Sequence, residues 1–139
     1  PRRHVLVTVI GHLREEKDPL TLMAAARLVS RRDGILIDPG HDFGKNSRHS
    51  LEVTRRLDEL VATGWPVLVA LSRKDFVGES LNLPVDDRLE GTLAATAISA
   101  FLGARVFRAH DVAATVRTVR MVAAIRGDAD LALGRRGLA

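Results

Sequence analysis

One unit recurs along this chain: an apolar run of strand length, a tip of charged and small residues, then a helical segment. The tip Asp38-Pro39-Gly40-His41-Asp42-Phe43-Gly44-Lys45-Asn46 follows Ile35-Leu36-Ile37. Ser72-Arg73-Lys74 follows Val67-Leu68-Val69-Ala70-Leu71, and Arg108-Ala109-His110-Asp111 follows Ala104-Arg105-Val106-Phe107. The beat is regular, since 34 positions separate Asp38 from Ser72 and Lys74 from Arg108. Strands alternating with helices imply a parallel sheet with right-handed crossovers. The strands lack strict polar alternation, as expected of strands buried on both faces.

A less regular unit comes first. His4 to Ile10 is mostly β-branched and reads as a strand. Gly11 to Lys17 is a polar loop, and Asp18-Pro19 opens a helix that Gly34 ends. In the second unit a helix runs from about Ser47, with Leu57, Leu60 and Val61 on its apolar face, until Gly64 stops it. The third has a strand from Pro66 to Leu71, the Ser72-Arg73-Lys74 tip, and a longer loop through Gly78 and Pro84. Its helix runs from about Asp86 to Leu102 and is rich in small residues, so it can approach a sheet closely; Gly103 ends it. The fourth has a strand from Ala104 to Phe107 and a helix, capped by Asp111, that continues to Gly127.

The expected organisation is therefore one α/β domain, (βα)4, over residues 1–127, and a loosely ordered tail over 128–139. A beat of this length suits a TIM-type (β/α)8 barrel, where about 250 residues make eight units, and four units are half of that. A doubly wound open sheet is the other architecture, but the chain has no Gly-x-Gly-x-x-Gly turn and no Walker A sequence. The first residue is not Met, which suggests a fragment or a processed chain.

Composition narrows the function classes. No apolar run approaches the ~20 residues of a membrane helix. Val5 to Ile10 is too short for a signal h-region of about 7–15 residues, so the default location is cytoplasmic. The absence of cysteine removes disulfides, thiolate catalysis and cysteine-ligated zinc. The formal net charge is +4, much of it in Arg31-Arg32, Arg55-Arg56 and Arg135-Arg136, with four Phe, one Trp and no Tyr. Nucleic-acid readers pair a basic face with stacking aromatics or a reader motif, and neither is visible. A small anionic ligand accounts better for positive charge at strand tips.

Each tip has a plain reading beside a functional one. Asp38 at a strand end can accept two hydrogen bonds from an N–C–N ring edge, or can close the Asp-Pro-Gly turn; the residues alone leave these even. Phe43 can wall an aromatic site or plug the barrel mouth, and Lys45 reads as solvated. Lys74 follows a fully apolar strand, and strand C-termini of barrels hold catalytic groups. There it can meet a ring carbonyl or a phosphate. Arg108 and His110, with the N–H groups of the helix behind them, compose an anion site. Asp111 reads as an N-cap, His41-Asp42 as a surface turn rather than a metal site, and Arg88-Leu89-Glu90-Gly91-Thr92 as structural.

Taken in order, Asp38-Pro39-Gly40…Phe43-Gly44-Lys45, Ser72-Arg73-Lys74, Arg88-Leu89-x-Gly91-Thr92-Leu93-Ala94-Ala95 and Arg108-x-His110-Asp111-Val112 resemble the dihydropteroate synthase family. The resemblance covers about residues 35 to 126. His41-Asp42 and the ending Arg136-Gly137-Leu138-Ala139 look like a second, actinobacterial-type paralogue subgroup. The resemblance implies the C-terminal half of a TIM barrel. The implied reaction condenses 6-hydroxymethyl-7,8-dihydropterin diphosphate with p-aminobenzoate, releasing diphosphate and 7,8-dihydropteroate. It implies Asp38 and Lys74 on the pterin, and Phe43 and Ser72 lining the aminobenzoate site. Arg108 and His110 would bind diphosphate, with Lys74 and Arg108 carrying the catalysis. It also implies a magnesium ion whose ligand is not in this chain, no metal ligand here, and a homodimer in the full-length protein. Two positions depart from the family pattern: Asp42 replaces the usual small residue, and Asp75 follows Ser-Arg-Lys. A carboxylate at Asp75 would pair with Lys74 or repel an aminobenzoate. A synthase-inactive paralogue, serving as a pterin-binding or scaffold protein, is the alternative. The half-barrel by itself is expected to be inactive.

Overall fold

The computed structural model describes residues 5–8 and 35–133. Strands β1 (Val5–Thr8) and β2 (Ile35–Asp38) pair in parallel, with Val5 opposite Ile35 and Thr8 opposite Asp38. The helix the sequence places between them lies outside the described residues. After β2 come helices α1 (Ser47–Arg55) and α2 (Leu57–Val61), then strand β3 (Leu68–Val69). Helices α3 (Asp75–Leu81) and α4 (Leu89–Phe101) precede strand β4 (Val106–Phe107), and α5 (Val112–Arg126) follows it.

The strands run in chain order. A parallel bridge between Ile37 and Val67, with the Ile37 N–H donating to the Pro66 carbonyl at 2.9 Å, carries the ladder from β2 to β3. β3 pairs in parallel with β4, Leu68 opposite Val106 and Val69 opposite Phe107. The ladder extends past the named strands, because the Arg108 N–H donates to the Val69 carbonyl at 3.0 Å. This is the order of a barrel wall; a doubly wound sheet reverses its strand order at a switch point. All the tips therefore lie at one end of the sheet.

The core forms where the strands meet their helices. Ile37, Val67, Val69 and Leu71 from the strand segments pack with Leu57, Leu60, Phe76, Val77, Trp65 and Ala104. Val67 is wholly buried and Leu57 is 1 % exposed. Each such side chain contributes roughly 1.5–3 kcal/mol by leaving water.

Three sequence expectations need correction. The segment read as a single helix from Ser47 to Gly64 breaks at Arg56 (φ −102°, ψ 21°). Asn46 caps its start, accepting the His49 N–H at 3.0 Å. The segment read as a loop through Gly78 contains helix α3. A free N–H of its first turn, at Phe76, donates to the Asp42 carboxylate at 3.2 Å, and Asn82 closes the helix in the left-handed conformation. That cap comes from another loop, so no local pattern announces it. Gly78 lies inside α3 because the Arg88 guanidinium rests where a Cβ would stand. The helix expected from Asp86 begins instead as a 3-10 turn, Val85–Asp87, and becomes α-helical from Leu89.

Candidate ligand site at the strand tips

Asp38 closes β2 and is buried, and its Oδ1 accepts the Gly40 N–H at 2.8 Å. One carboxylate oxygen is thus committed to the Pro39-Gly40 turn. His41 is no surface residue: it is wholly buried, 5.8 Å from the Phe76 ring. Its Nε2 lies 3.1 Å from Thr54 Oγ1, and Thr54 donates its own proton to the Ser50 carbonyl at 2.9 Å. Thr54 must therefore accept, and the His41 proton sits on Nε2. Burial, reinforced by the charges of Lys74 and Lys45, lowers the His41 pKa from 6.5 to about 3. The ring is neutral at physiological pH.

Asp42 takes the left-handed conformation (φ 61°), which Asp adopts more readily than most residues. Its N–H donates to Ser50 Oγ at 3.0 Å, and Ser50 returns its proton to Asp42 Oδ1 at 2.7 Å. Oδ2 takes the Phe76 N–H, so one carboxylate joins the first tip, α1 and α3. Phe43 stands 42 % exposed at the rim. Lys45 folds back from solvent, against expectation, and its Nζ donates to the Gly40 carbonyl at 3.1 Å. Burial lowers its pKa, and Asp38 opposes that.

At the third-strand tip, Ser72 is buried, and its Oγ accepts the His110 backbone N–H at 3.2 Å. The same oxygen lies 2.9 Å from His110 Nδ1, tying the third tip to the fourth. Arg73 is also left-handed (φ 57°), and its N–H donates to Thr92 Oγ1 at 3.1 Å. Its guanidinium donates to Asp111 at 3.3 Å and Asp86 at 3.4 Å. Asp111 starts α5 without a side-chain cap bond, which corrects the N-cap expectation: its carboxylate answers Arg73 instead.

Lys74 is the centre of the arrangement. Its Nζ donates to the His41 carbonyl and stands 4.6 Å from the Phe43 ring centroid, a cation–π distance. Burial lowers its pKa. Asp42 and Asp38 oppose that shift, while Arg108 and Lys45 add to it. Charged groups from the two neighbouring tips therefore act on one ammonium. Asp75 does not: it is exposed and pairs with Arg88 Nη1 at 3.0 Å. Arg88 also donates to the carbonyls of Arg73 (2.9 Å) and Leu83 (3.2 Å), consistent with its structural reading. The side chains of Arg108 and His110 are exposed at the fourth tip.

The structure thus joins Asp38, Phe43, Lys74 and Arg108 electrostatically or by contact, and joins Ser72 to His110 by hydrogen bonding. Sequence reasoning missed the inward turn of His41 and Lys45 and the bridging role of Asp42. One signal was present: Ser50 and Thr54, four apart on one helix face, are both buried and both serve the tip. Among the described residues no three His, Asp or Glu side chains converge as metal ligands, so they do not fit a magnesium site by themselves. No described helix is long and apolar enough to cross a membrane.

Residues 10–110 match the family described as pterin binding enzyme. The chain belongs to this family. Among its relatives, the protein called inactive dihydropteroate synthase 2 from Mycobacterium leprae is 56 % identical over 119 residues, covering 84 % of this chain and 41 % of the relative. Dihydropteroate synthase of Escherichia coli K12 is 42 % identical over 93 residues, 67 % of this chain and 33 % of the relative. The chain thus spans well under half the length of these relatives. The Yersinia pestis dihydropteroate synthase solved with a sulfonamide drug superposes with a TM-score of 0.78 at 31 % identity, over 91 % of this chain and 52 % of that one. The fold is accordingly half of a TIM-type barrel of the pterin-binding family.

Proposed function

We propose that this half-barrel carries the pterin- and diphosphate-binding tips of a dihydropteroate synthase-like transferase. The observation that carries the reading is Lys74, on which Asp38, Asp42, Lys45 and Arg108 all act. In this reading Asp38 and Lys74 take the polar edge of the pterin. Phe43 and Ser72 line the space for p-aminobenzoate, and Arg108 and His110 receive the diphosphate. The aryl amine nitrogen forms the new bond to the pterin methylene as the methylene C–O bond breaks. Diphosphate leaves with the electron pair, and the amine loses a proton to solvent. Fixed cations aimed at the departing charge lower the barrier, because the charge on the leaving oxygen grows in the transition state. The full-length protein would be a cytoplasmic homodimer acting on small molecules.

A second reading has its own support. The relatives at 56 % identity are called inactive, and Asp42 places a carboxylate beside Lys74. In this reading the chain binds pterin but belongs to a protein without synthase activity.

Calorimetry with 6-hydroxymethyl-7,8-dihydropterin diphosphate tests the common ground. Binding is expected to weaken about tenfold or more in Lys74→Met, the scale of a lost charge-assisted contact. Absence of any binding to the unaltered chain overturns both readings. Turnover by the full-length protein then separates them.

A further inference from the structure

We propose that Asp42 determines which second substrate this site accepts: it compensates Lys74 from within the protein, so the aryl pocket favours a neutral aryl amine over an arylcarboxylate. The inference rests on the proposed pterin-site reading and goes beyond it in naming the class of the second ligand.

Asp42 is held too firmly to swing aside for a ligand. Both its carboxylate oxygens are engaged by neutral donors, Oδ1 by Ser50 Oγ at 2.7 Å and Oδ2 by the Phe76 N–H at 3.2 Å. Its backbone N–H is tied to the same Ser50 hydroxyl at 3.0 Å. Neutral donors leave the negative charge in place, and no described guanidinium or ammonium forms an ion pair with it. Asp42 is also the largest single charge acting on Lys74, ahead of Asp38. Lys74 in turn is held by the His41 carbonyl and lies against the Phe43 ring, so its ammonium cannot move far from Asp42. An anion arriving between Phe43 and Ser72 meets a cation already matched by a fixed carboxylate. Repulsion from Asp42 offsets part of the attraction to Lys74, while the ligand still loses its hydration. A neutral amide of the same shape avoids that loss.

Asp75 does not share the role. It points away to Arg88, although its place in the sequence beside Lys74 made it the expected partner.

The test compares p-aminobenzoate with its neutral isostere 4-aminobenzamide, by calorimetry on the chain saturated with pterin diphosphate. Asp42→Asn keeps the side-chain shape, an acceptor for Phe76 and a donor for Ser50, while removing the charge. Asp42→Gly, which also suits φ 61°, is the second variant should the first fail to fold. The unaltered chain is expected to prefer the amide, and the variants are expected to shift the affinity ratio towards the acid by about tenfold or more, the scale of one partly buried charge contact. An unchanged ratio overturns the proposal, as does failure of both aryl ligands to bind either protein. Either result with pterin diphosphate still bound leaves the pterin reading standing. Absence of pterin binding removes that reading and the proposal with it.

Discussion

His41 shows how one residue can be misplaced by its neighbours in sequence. It lies among Asp, Gly and Lys in a tip that reads as a turn, yet its ring is wholly enclosed. Thr54 accepts from His41 Nε2, and Thr54→Val keeps the shape while removing the acceptor. Leaving that buried donor unpaired is expected to cost about 1–3 kcal/mol, read as a lower urea midpoint at pH 7. The same ring makes stability depend on acid. Its folded pKa of about 3 lies below the unfolded 6.5, so between these values the unfolded chain binds the extra proton. Stability is therefore full above pH 6.5, falls as pH drops towards 3, and levels off below. The slope contributed by this one group is at most about 1.4 kcal/mol per pH unit. His41→Gln retains a donor for Thr54 without a titrating ring. Urea unfolding at pH 7, 5.5 and 4 is expected to show a shallower loss in this variant than in the unaltered chain. Equal slopes would contradict the assignment.

At the scale of elements, α3 and α4 are packed through a glycine. A Cβ on Gly91 would stand 2.6 Å from both Val77 Cγ1 and Leu81 Cδ1. Leu81 is half exposed and can turn away, but Val77 is buried in the core and branched at Cβ. Alanine would gain about 1 kcal/mol of helix propensity and lose about 1–3 kcal/mol to overpacking. Gly91→Ala is therefore expected to destabilise by on the order of 1 kcal/mol, measurable as a lower thermal midpoint. A stabilised variant would show that the two helices are not pressed together here. The small-residue content of α4 was legible as a close-packing signal. Helix α3 was not, because its N-terminal N–H is satisfied by Asp42, which lies 34 positions earlier. Seven residues with a cap supplied from elsewhere leave no start signal of their own.

At the scale of the molecule, the four described parallel strands run in chain order and, among the described residues, leave a barrel wall open at β4. Val106, Val112, Val116, Met121 and Ile125 are exposed there or along α5. A groove of about 460 Å³ lies between the end of β4 and α5, lined by Phe107, Val112, Val116 and Val119 among others. Exposed apolar surface and an unpaired strand edge on this scale are expected to be covered in a complete barrel. The 139-residue chain by itself is accordingly expected to give no measurable dihydropteroate in a coupled assay under conditions where a full-length synthase turns over. A rate near that of the full-length enzyme would refute the half-site reading. The sequence alone determined the parallel βα architecture and its beat, since apolar runs and charged tips are properties of consecutive residues. It also singled out Asp38, Lys74 and Arg108 as tip residues, because a strand's end is visible where hydrophobicity stops. Only the tertiary structure decided which carboxylate faces Lys74. Along the chain Asp75, next to Lys74, has the stronger claim, and it is the one the structure turns away. The hydrogen bonds of Asp42 with Ser50 and Phe76, and the Arg88 guanidinium beside Asp75, are contacts between separated segments, and they send one charge inward and the other out.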